Sequence, residues 1–505
     1  MGAVCREVIS IQLGQYANCV GAHWWNLQAQ GCRRSEAELC SNVQFRAGIT
    51  QNGVETYMPR LIILDIKDGG LVRTQGAGYK EEEEAAQATP AWRGKVTTHR
   101  EDQCSAGPAT QEGGASKGGG SREKGLAGGG ANLDIREEPH QPITQDGEWS
   151  DYLCTQLHPK SLCMLSHGSG GNVGSLESFS QGESFLRGVS HQEEVEDRLR
   201  FFSEECDYLQ GFHILCDTHS GFSGAGSKMA ELIHDEYPGR GILSFGTSPV
   251  LSEHRAGWRY HSSAVLAAAL DTLTAPYRLP SSTLTMSHLL DTLSFSGRKV
   301  LAASCSLPFP IGSSSFLPDA LLPHMTSPPW RSLSACADGA PLFSQSVVLR
   351  GVPRRQQISS LPAGTRPPSS LHACASGEEV LQCYLSAVCP RTLSVSHLLG
   401  TPCMLGPTFP QFFSRYITKD GVTEEEPLTD STVVGGVPVM AALHSSSALQ
   451  LSLRSLCDEV TKMDIKRSAN FSTAGIEEEE LKEAIDELRS LARCYQMYEG
   501  EDSDD

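Results

Sequence analysis

No two of the seventeen cysteines stand in a C-x-x-C relation. That absence removes the common zinc-ribbon and thioredoxin patterns. The nearest approach to a ligand group is Cys383, Cys389, His397 and Cys403, whose spacing matches no known finger, so no metal site is expected. The count is odd, and Cys163, Cys216 and Cys305 sit inside apolar runs, where a reduced thiol packs as a small hydrophobe. A reducing compartment follows, most simply the cytoplasm. Long hydrophobic runs are missing too: no window reaches the ~18 apolar residues of a membrane span. The best stretch, residues 433–451, is broken by Gly435, Gly436, Pro438 and His444. Arg6, Glu7 and Gln12 interrupt the first apolar stretch, so no secretory leader is expected. Positive charge is short as well, 41 Lys and Arg against 60 Asp and Glu, for a net charge of −19. Such a surface repels phosphate backbones, so no nucleic-acid partner is expected.

What is present is a chain of 505 residues that is 39% hydrophobic, enough for two to four domains. Its composition divides it. Residues 1–255 have folded character on either side of a polar insertion at about 76–147. That insertion carries four consecutive glutamates at 81–84 and a Gly/Ser/Lys tract at 113–130. Such a tract buries too little apolar surface to offset its ordering entropy, so it is expected to be disordered. Residues 256–426 mix an Ala/Leu-rich helix at 264–273 with short strands and Pro/Ser turns, ending in an irregular stretch from 401. Residues 427–505 are expected to be helical. Leu481, Ile485, Leu488, Ala492 and Tyr495 recur at helical spacing on one face, ahead of an acidic tail at 499–505. That helix is expected to pack on the body of the fold. It carries no basic membrane-binding face, so attachment to an organelle would need a protein receptor.

The first half repeats one pattern: a short apolar run, then a turn, then helix-like sequence. Residues 7–13 run into Gly14-Gln15, and residues 61–64 end in Asp65. Residues 161–165 run into His167-Gly168-Ser169-Gly170-Gly171-Asn172. Residues 212–216 pass through Asp217-Thr218-His219 into Gly221-Phe222-Ser223-Gly224-Ala225-Gly226 and a helix at 227–236. Residues 242–245 follow a Pro-Gly turn. Short strands alternating with helices predict an α/β fold with a Rossmann-like parallel sheet, whose ligands gather beyond the carboxyl ends of the strands. Two glycine-rich turns there suit a phosphate; equally, they are tight turns of an α/β core. Gly221 to Lys228 resembles a Walker A loop with its last two residues exchanged. A P-loop needs Lys directly after the final glycine, so none is assigned. The stretch from His167 to Gly171 lacks the G-x-S-x-G elbow of a hydrolase. His219, without Ser or Asp at an interpretable spacing, is expected to be packed rather than a base.

These residues carry a resemblance to tubulin and FtsZ. Arg6-Glu7-Val8-Ile9-Ser10-Ile11-Gln12-Leu13-Gly14-Gln15, with Asn18, Gly21, Ala22 and Trp25, resembles the tubulin N-terminal strand and first nucleotide loop. Pro59-Arg60, Leu64-Asp65, Cys206-Asp207-Tyr208-Leu209-Gln210-Gly211-Phe212, the glycine turn at 221–226 and Asp235-Glu236-Tyr237-Pro238-Gly239-Arg240 follow in tubulin order. Gly21-Ala22-His23-Trp24-Trp25-Asn26, Gln181-Gly182-Glu183-Ser184, Ser346-Val347-Val348-Leu349-Arg350-Gly351 and Leu371-His372-Ala373-Cys374 look like the Misato family of divergent tubulin-like proteins. That likeness spans nearly the whole chain outside the insertion.

The resemblance implies a tubulin-like first domain, a smaller α+β second domain and C-terminal helices. It also implies GTP as the possible ligand, with Gly14, Gln15, Gly168, Gly170, Gly171, Asn172, Gly221, Gly224 and Gly226 as the candidate contacts; turns inherited from a GTP-binding ancestor remain the alternative. Hydrolysis in that family needs an acidic loop delivered by a neighbouring subunit. The corresponding stretch, taken as residues 295–304, has no carboxylate. Lys67 stands where the family has a glutamate, and Phe222 replaces a glycine of the phosphate loop. No catalytic residue is therefore assigned. Between residue 245 and the helix at 264 the chain is also shorter than a tubulin fold requires. The family implies a protein of the cytoplasm and the mitochondrial outer membrane, regulating mitochondrial distribution, morphology and fusion through outer-membrane or fusion proteins. Two alternatives stand beside it: a GTP-binding tubulin-like GTPase that polymerises, and a chaperonin-associated factor for tubulin and spindle assembly.

Overall fold

The apolar runs at 7–13, 61–66 and 209–217 form strands buried on both faces, which is what a parallel sheet covered by helices demands. The computed structural model describes residues 6–32, 38–49, 55–66, 148–165, 176–249, 257–280, 284–334, 336, 339–360, 362, 364–428, 433–463 and 478–497. The expected insertion, Lys67, the turn at 167–172 and the acidic tail lie outside them.

Strand β1 (Glu7–Leu13) leads into α1 (Gln15–Cys32). A hairpin follows, β2 (Phe45–Ile49) with β3 (Glu55–Pro59), then β4 (Leu61–Ile66), α2 (Trp149–Tyr152), β5 (Leu162–Leu165), α3 (Phe179–Arg187), α4 (Val189–Glu204), β6 (Leu209–Asp217), α5 (Phe222–Glu236) and β7 (Gly241–Thr247). The first sheet has the order β5-β4-β1-β6-β7 and is parallel throughout. Ile11 lies in register with Ile62 on one side and Ile214 on the other. All three are buried, and each such side chain contributes about 1.5–3 kcal/mol by leaving water. The five expected strands are therefore present; β4 is longer than its apolar run at one end, and β6 and β7 at both.

A central helix, α6 (Gly257–Leu273), follows β7 and packs on α1. Its alanines 264, 267, 268 and 269 are buried. Alanine favours the helix and is small enough to let neighbours approach on several sides. Beyond it come α7 (Met286–Leu293), β8 (Ala302–Ser306), α8 (Leu317–Leu321), β9 (Arg331–Ser332), β10 (Leu342–Arg350), α9 (Gly377–Val388), β11 (Leu393–Leu399), β12 (Cys403–Met404), β13 (Gly436–Val437), β14 (Val439–Ser446), α10 (Leu449–Lys462) and α11 (Glu478–Arg493). The second sheet has the order β11-β10-β14-β8-β9 and is mixed. Both sheets belong to one compact unit.

Two expectations are corrected here. The region from 427 onward is not purely helical: β14, buried along its whole length, is the central strand of the second sheet. A strand buried on both faces shows no alternation, and the flanking Gly436 and Pro438 disguised it. Residues 295–304 join α7 to β8 and do not follow the central helix; the segment that does is 274–285. Neither stretch contains an Asp or Glu, so the missing carboxylate does not depend on the placement. The loop after α7 lies under α11. Arg298 Nε donates to the Cys494 carbonyl at 2.8 Å, and its guanidinium stands 3.8 Å from the Phe343 ring centroid. Tyr495 receives the Val300 N–H and donates to the Val300 carbonyl, each at 2.7 Å. The expected packing of α11 on the body is seen, with Ile485, Ala492 and Tyr495 buried.

Candidate functional site

In a doubly wound sheet the ligand crevice opens where the strand order reverses. Here that point is the carboxyl end of β1, flanked by β4 and β6. Gly14 ends β1 with φ +104°, a left-handed conformation that favours glycine. It turns the chain so that α1 starts at Gln15, whose side chain is exposed. The first N–H groups of a helix are an anion socket. In this chain the socket is filled from within. The N–H groups of Tyr16 and Ala17 donate to Asp217 Oδ2 and Oδ1 at 3.0 and 2.7 Å. Thr247 Oγ1 donates to Oδ1 at 3.1 Å. A Cβ on Gly14 would lie 2.4 Å from Asp217 Oδ2, so the carboxylate fills the space that glycine leaves.

A second buried acid stands at the end of β4. Asp65 Oδ2 receives Trp149 Nε1 at 2.8 Å and Asn18 Nδ2 at 3.1 Å. Burial pushes both carboxyls above their usual range, and the charge of Asp217 further raises Asp65. A nucleotide phosphate entering between them would meet two acids. Tyr16 closes the side toward the central helix, its hydroxyl donating to Ser262 Oγ at 2.8 Å. Among the described residues no three His, Cys, Asp or Glu side chains gather as a metal site.

The second glycine turn is also closed. Gly221 N–H donates to the Leu176 carbonyl at 2.8 Å. A Cβ on Gly224 would lie 1.8 Å from the Phe179 carbonyl oxygen, and one on Gly182 1.7 Å from that of Gly221. A Cβ on Gly226 would strike Cys216 Sγ at 2.4 Å. These glycines bring α3 and β6 against the start of α5. Phe222 is buried in the core, and Lys228 pairs with Glu231 at 2.8 Å on the surface. His219, expected to be packed, is exposed. Of the nine candidate contacts, Gly14 and Gln15 lie at the crevice and Gly221, Gly224 and Gly226 face protein. Gly168, Gly170, Gly171 and Asn172 fall outside the described residues. Sequence reasoning did not weigh Asp217, although an acid closing a strand beside a helix start was there to be read.

Removing the internal anion should expose the socket. Asp217→Ala is expected to lower stability by about 2 kcal/mol through the lost charged hydrogen bonds. Sulfate should then raise the unfolding midpoint of the variant more than that of the parent, as a thermal melt would show.

The motif around His23 is structural. His23 stacks on Tyr152 with ring centroids 4.8 Å apart. Asn26 Nδ2 donates to the Tyr152 carbonyl at 2.7 Å and to Thr408 Oγ1 at 3.1 Å. His213 Nε2 lies 2.6 Å from the Tyr277 hydroxyl. Burial lowers the pKa of both histidines to about 3. The folded value lies below the unfolded value, so the stability each contributes is complete above about pH 6.5 and is lost as pH falls toward 3. At pH 5 each is expected to cost about 2 kcal/mol relative to neutral pH. Asp65 and Asp217, with raised values, act with the opposite sign and recover part of this. Urea midpoints measured from pH 7.5 down to pH 5 should fall, and His213→Gln should flatten that slope.

Residues 6–112 match the Misato Segment II tubulin-like domain, and residues 143–256 the Tubulin domain. Protein misato homolog 1 of Mus musculus is 42% identical over 561 aligned positions, covering 98% of this chain and 99% of the relative. The Homo sapiens protein of that name is 41% identical with the same coverage. Protein misato of Drosophila melanogaster is 27% identical over 97% of this chain and 98% of its own. The mouse alignment is longer than this chain, so the relative holds residues for which this chain has none. Resemblance, sheet order and near full-length identity agree: the chain belongs to the Misato family of tubulin-like proteins.

Proposed function

We propose that this chain is a non-catalytic tubulin-like protein that regulates mitochondrial distribution, morphology and fusion. It acts in the cytoplasm and peripherally at the mitochondrial outer membrane, through outer-membrane or fusion proteins as partners. The observation that carries the non-catalytic half is Asp217, whose carboxylate takes the α1 donors that a phosphate would need. The absence of an acid from residues 274–285 and 295–304 supports it. The mitochondrial half is supported by the likeness to the Misato family. No helix among the described residues is long and apolar enough to cross a membrane, which fits attachment through a receptor.

Two measurements test the reading. Protein as purified should carry no guanine nucleotide and release no phosphate from GTP; stoichiometric nucleotide with steady turnover would replace this reading with the polymerising GTPase. Cells depleted of the endogenous protein should show a disturbed mitochondrial network that this chain restores. An unchanged network, with chaperonin subunits recovered on the purified protein, would favour the tubulin-assembly factor instead.

A further inference from the structure

The Leu371-His372-Ala373-Cys374 motif has no part in the nucleotide crevice. Leu371 is buried in the core of the second sheet and anchors a short 3-10 turn, Ser370–Ala373, between β10 and α9. The ring of His372 is thereby held between two other side chains. Asp319, in the first turn of α8, places Oδ1 3.0 Å from Nε2. Ser369 Oγ lies 2.8 Å from Nδ1.

The direction of each bond follows from its donors. A carboxylate only accepts, so Nε2 of the neutral ring carries the proton. Nδ1 then presents a lone pair, and the Ser369 hydroxyl donates to it. A serine ahead of a helical turn ordinarily turns its oxygen to the free N–H groups of that turn, but Ser369 caps none of them. The carboxylate is itself fixed, since its other oxygen receives the Phe316 N–H at 3.3 Å. The His372 side chain is only 6% exposed, so packing keeps the ring between its partners. A hydroxyl held to a base that a third group orients is the arrangement that activates a nucleophile. The two ring nitrogens have exchanged the places they take in serine hydrolases. Ser369 is partly exposed and stands between two exposed residues, Pro368 and Ser370, so an electrophile can reach it.

We propose that Ser369 is a site of covalent acylation, with an activated ester or thioester as the acyl donor. Its Oγ attacks the donor's carbonyl carbon while His372 Nδ1 takes the hydroxyl proton. The bond to the leaving oxygen or sulfur breaks, the proton passes to that group, and the acyl group stays on Ser369 as an ester. Asp319 is a positioning residue that orients the ring and stabilises its charged form. The best-formed cavities among the described residues lie elsewhere, so the product is a modified protein and not a turned-over substrate.

Labelling of the full chain with a fluorophosphonate probe tests it. The Oγ–P bond forms as P–F breaks, fluoride leaves and His372 takes the proton. Peptide mapping should place the label on Ser369, with none at that position in Ser369→Ala and an unchanged amount in Ser370→Ala. His372→Gln should slow labelling about 10²-fold or more, the usual contribution of a general base, and Asp319→Asn should slow it in the same direction. Ser369 is partly exposed, so the thermal midpoint of Ser369→Ala should stay near that of the parent and exclude misfolding as the cause. An acetyl group from p-nitrophenyl acetate should map to the same serine. A Ser369 that takes neither group, or a label that His372→Gln leaves at the parent rate, would overturn the proposal; the two hydrogen bonds would then do no more than tie the turn to α8.

Discussion

Asp271→Ala is expected to destabilise the protein by about 3–5 kcal/mol, the loss typical of breaking a buried ion pair and stranding its partners. Asp271 ends the central helix and sits between two guanidinium groups. Arg278 Nη1 donates to Oδ1 at 2.7 Å and Arg350 Nη1 to Oδ2 at 2.5 Å. All three side chains are almost wholly buried. Burial alone would raise the Asp271 carboxyl; Arg278 and Arg350 outweigh that and hold it below the usual range. Removing the acid leaves two positive charges in a dry interior. The damage also spreads. Arg350 holds the Thr401 and Pro402 carbonyls, so the segment that joins β11 to β12 loses its anchor. Replacing all three with apolar residues of similar volume should cost much less than the single change, because no charge is then left unpaired. Urea unfolding of the two variants compares them directly. Equal losses would mean that shape, not charge, is what this cluster supplies.

Gly224→Ala is the second large effect. The added carbon would stand 1.8 Å from the Phe179 carbonyl and 2.9 Å from the Glu183 nitrogen, both backbone atoms that cannot swing aside. Helix α3 or α5 must shift bodily, at a cost of about 3 kcal/mol or more, the upper end for overpacking. The result separates two meanings of this glycine. If it exists so that a phosphate can approach, alanine should weaken nucleotide binding and leave the melt unchanged. If it exists so that two helices can touch, alanine should lower the melting midpoint whether or not GTP is present. The second outcome is expected. Gly182→Ala, from the other side of the same contact, should behave alike.

These cases show which parts of the molecule its sequence carried. The parallel sheet was legible because its inner strands β4, β1 and β6 must be apolar on both faces, and all five strands are short apolar runs that end in turns. Those are local demands, written into a few consecutive residues. The central helix was legible from its alanines, and α11 from one apolar stripe. Strand β14 was not, because an apolar run buried on both faces has no period to distinguish strand from helix. The site was legible only in outline. Gly14 and its turn could be read from residues 7–15, but the group that fills the socket comes from Asp217. Nothing in the spacing of two such distant residues says that one will cap the helix of the other. The second glycine turn invited a ligand reading, since glycine permits close approach without saying by what. Here the visitor is the Phe179 carbonyl.

The order of strands in the second sheet also bears on how the chain is made. Strand β8 emerges at residues 302–306, yet its inner neighbour β14 begins only at Val439, and the loop before β8 is fastened by Tyr495. On the ribosome this half of the molecule cannot close until Tyr495 has been translated. Until then the edge of β8 that faces β14 waits unpaired, with only the two-residue β9 on its other side, a state that invites aggregation, and α11 arrives as the latch.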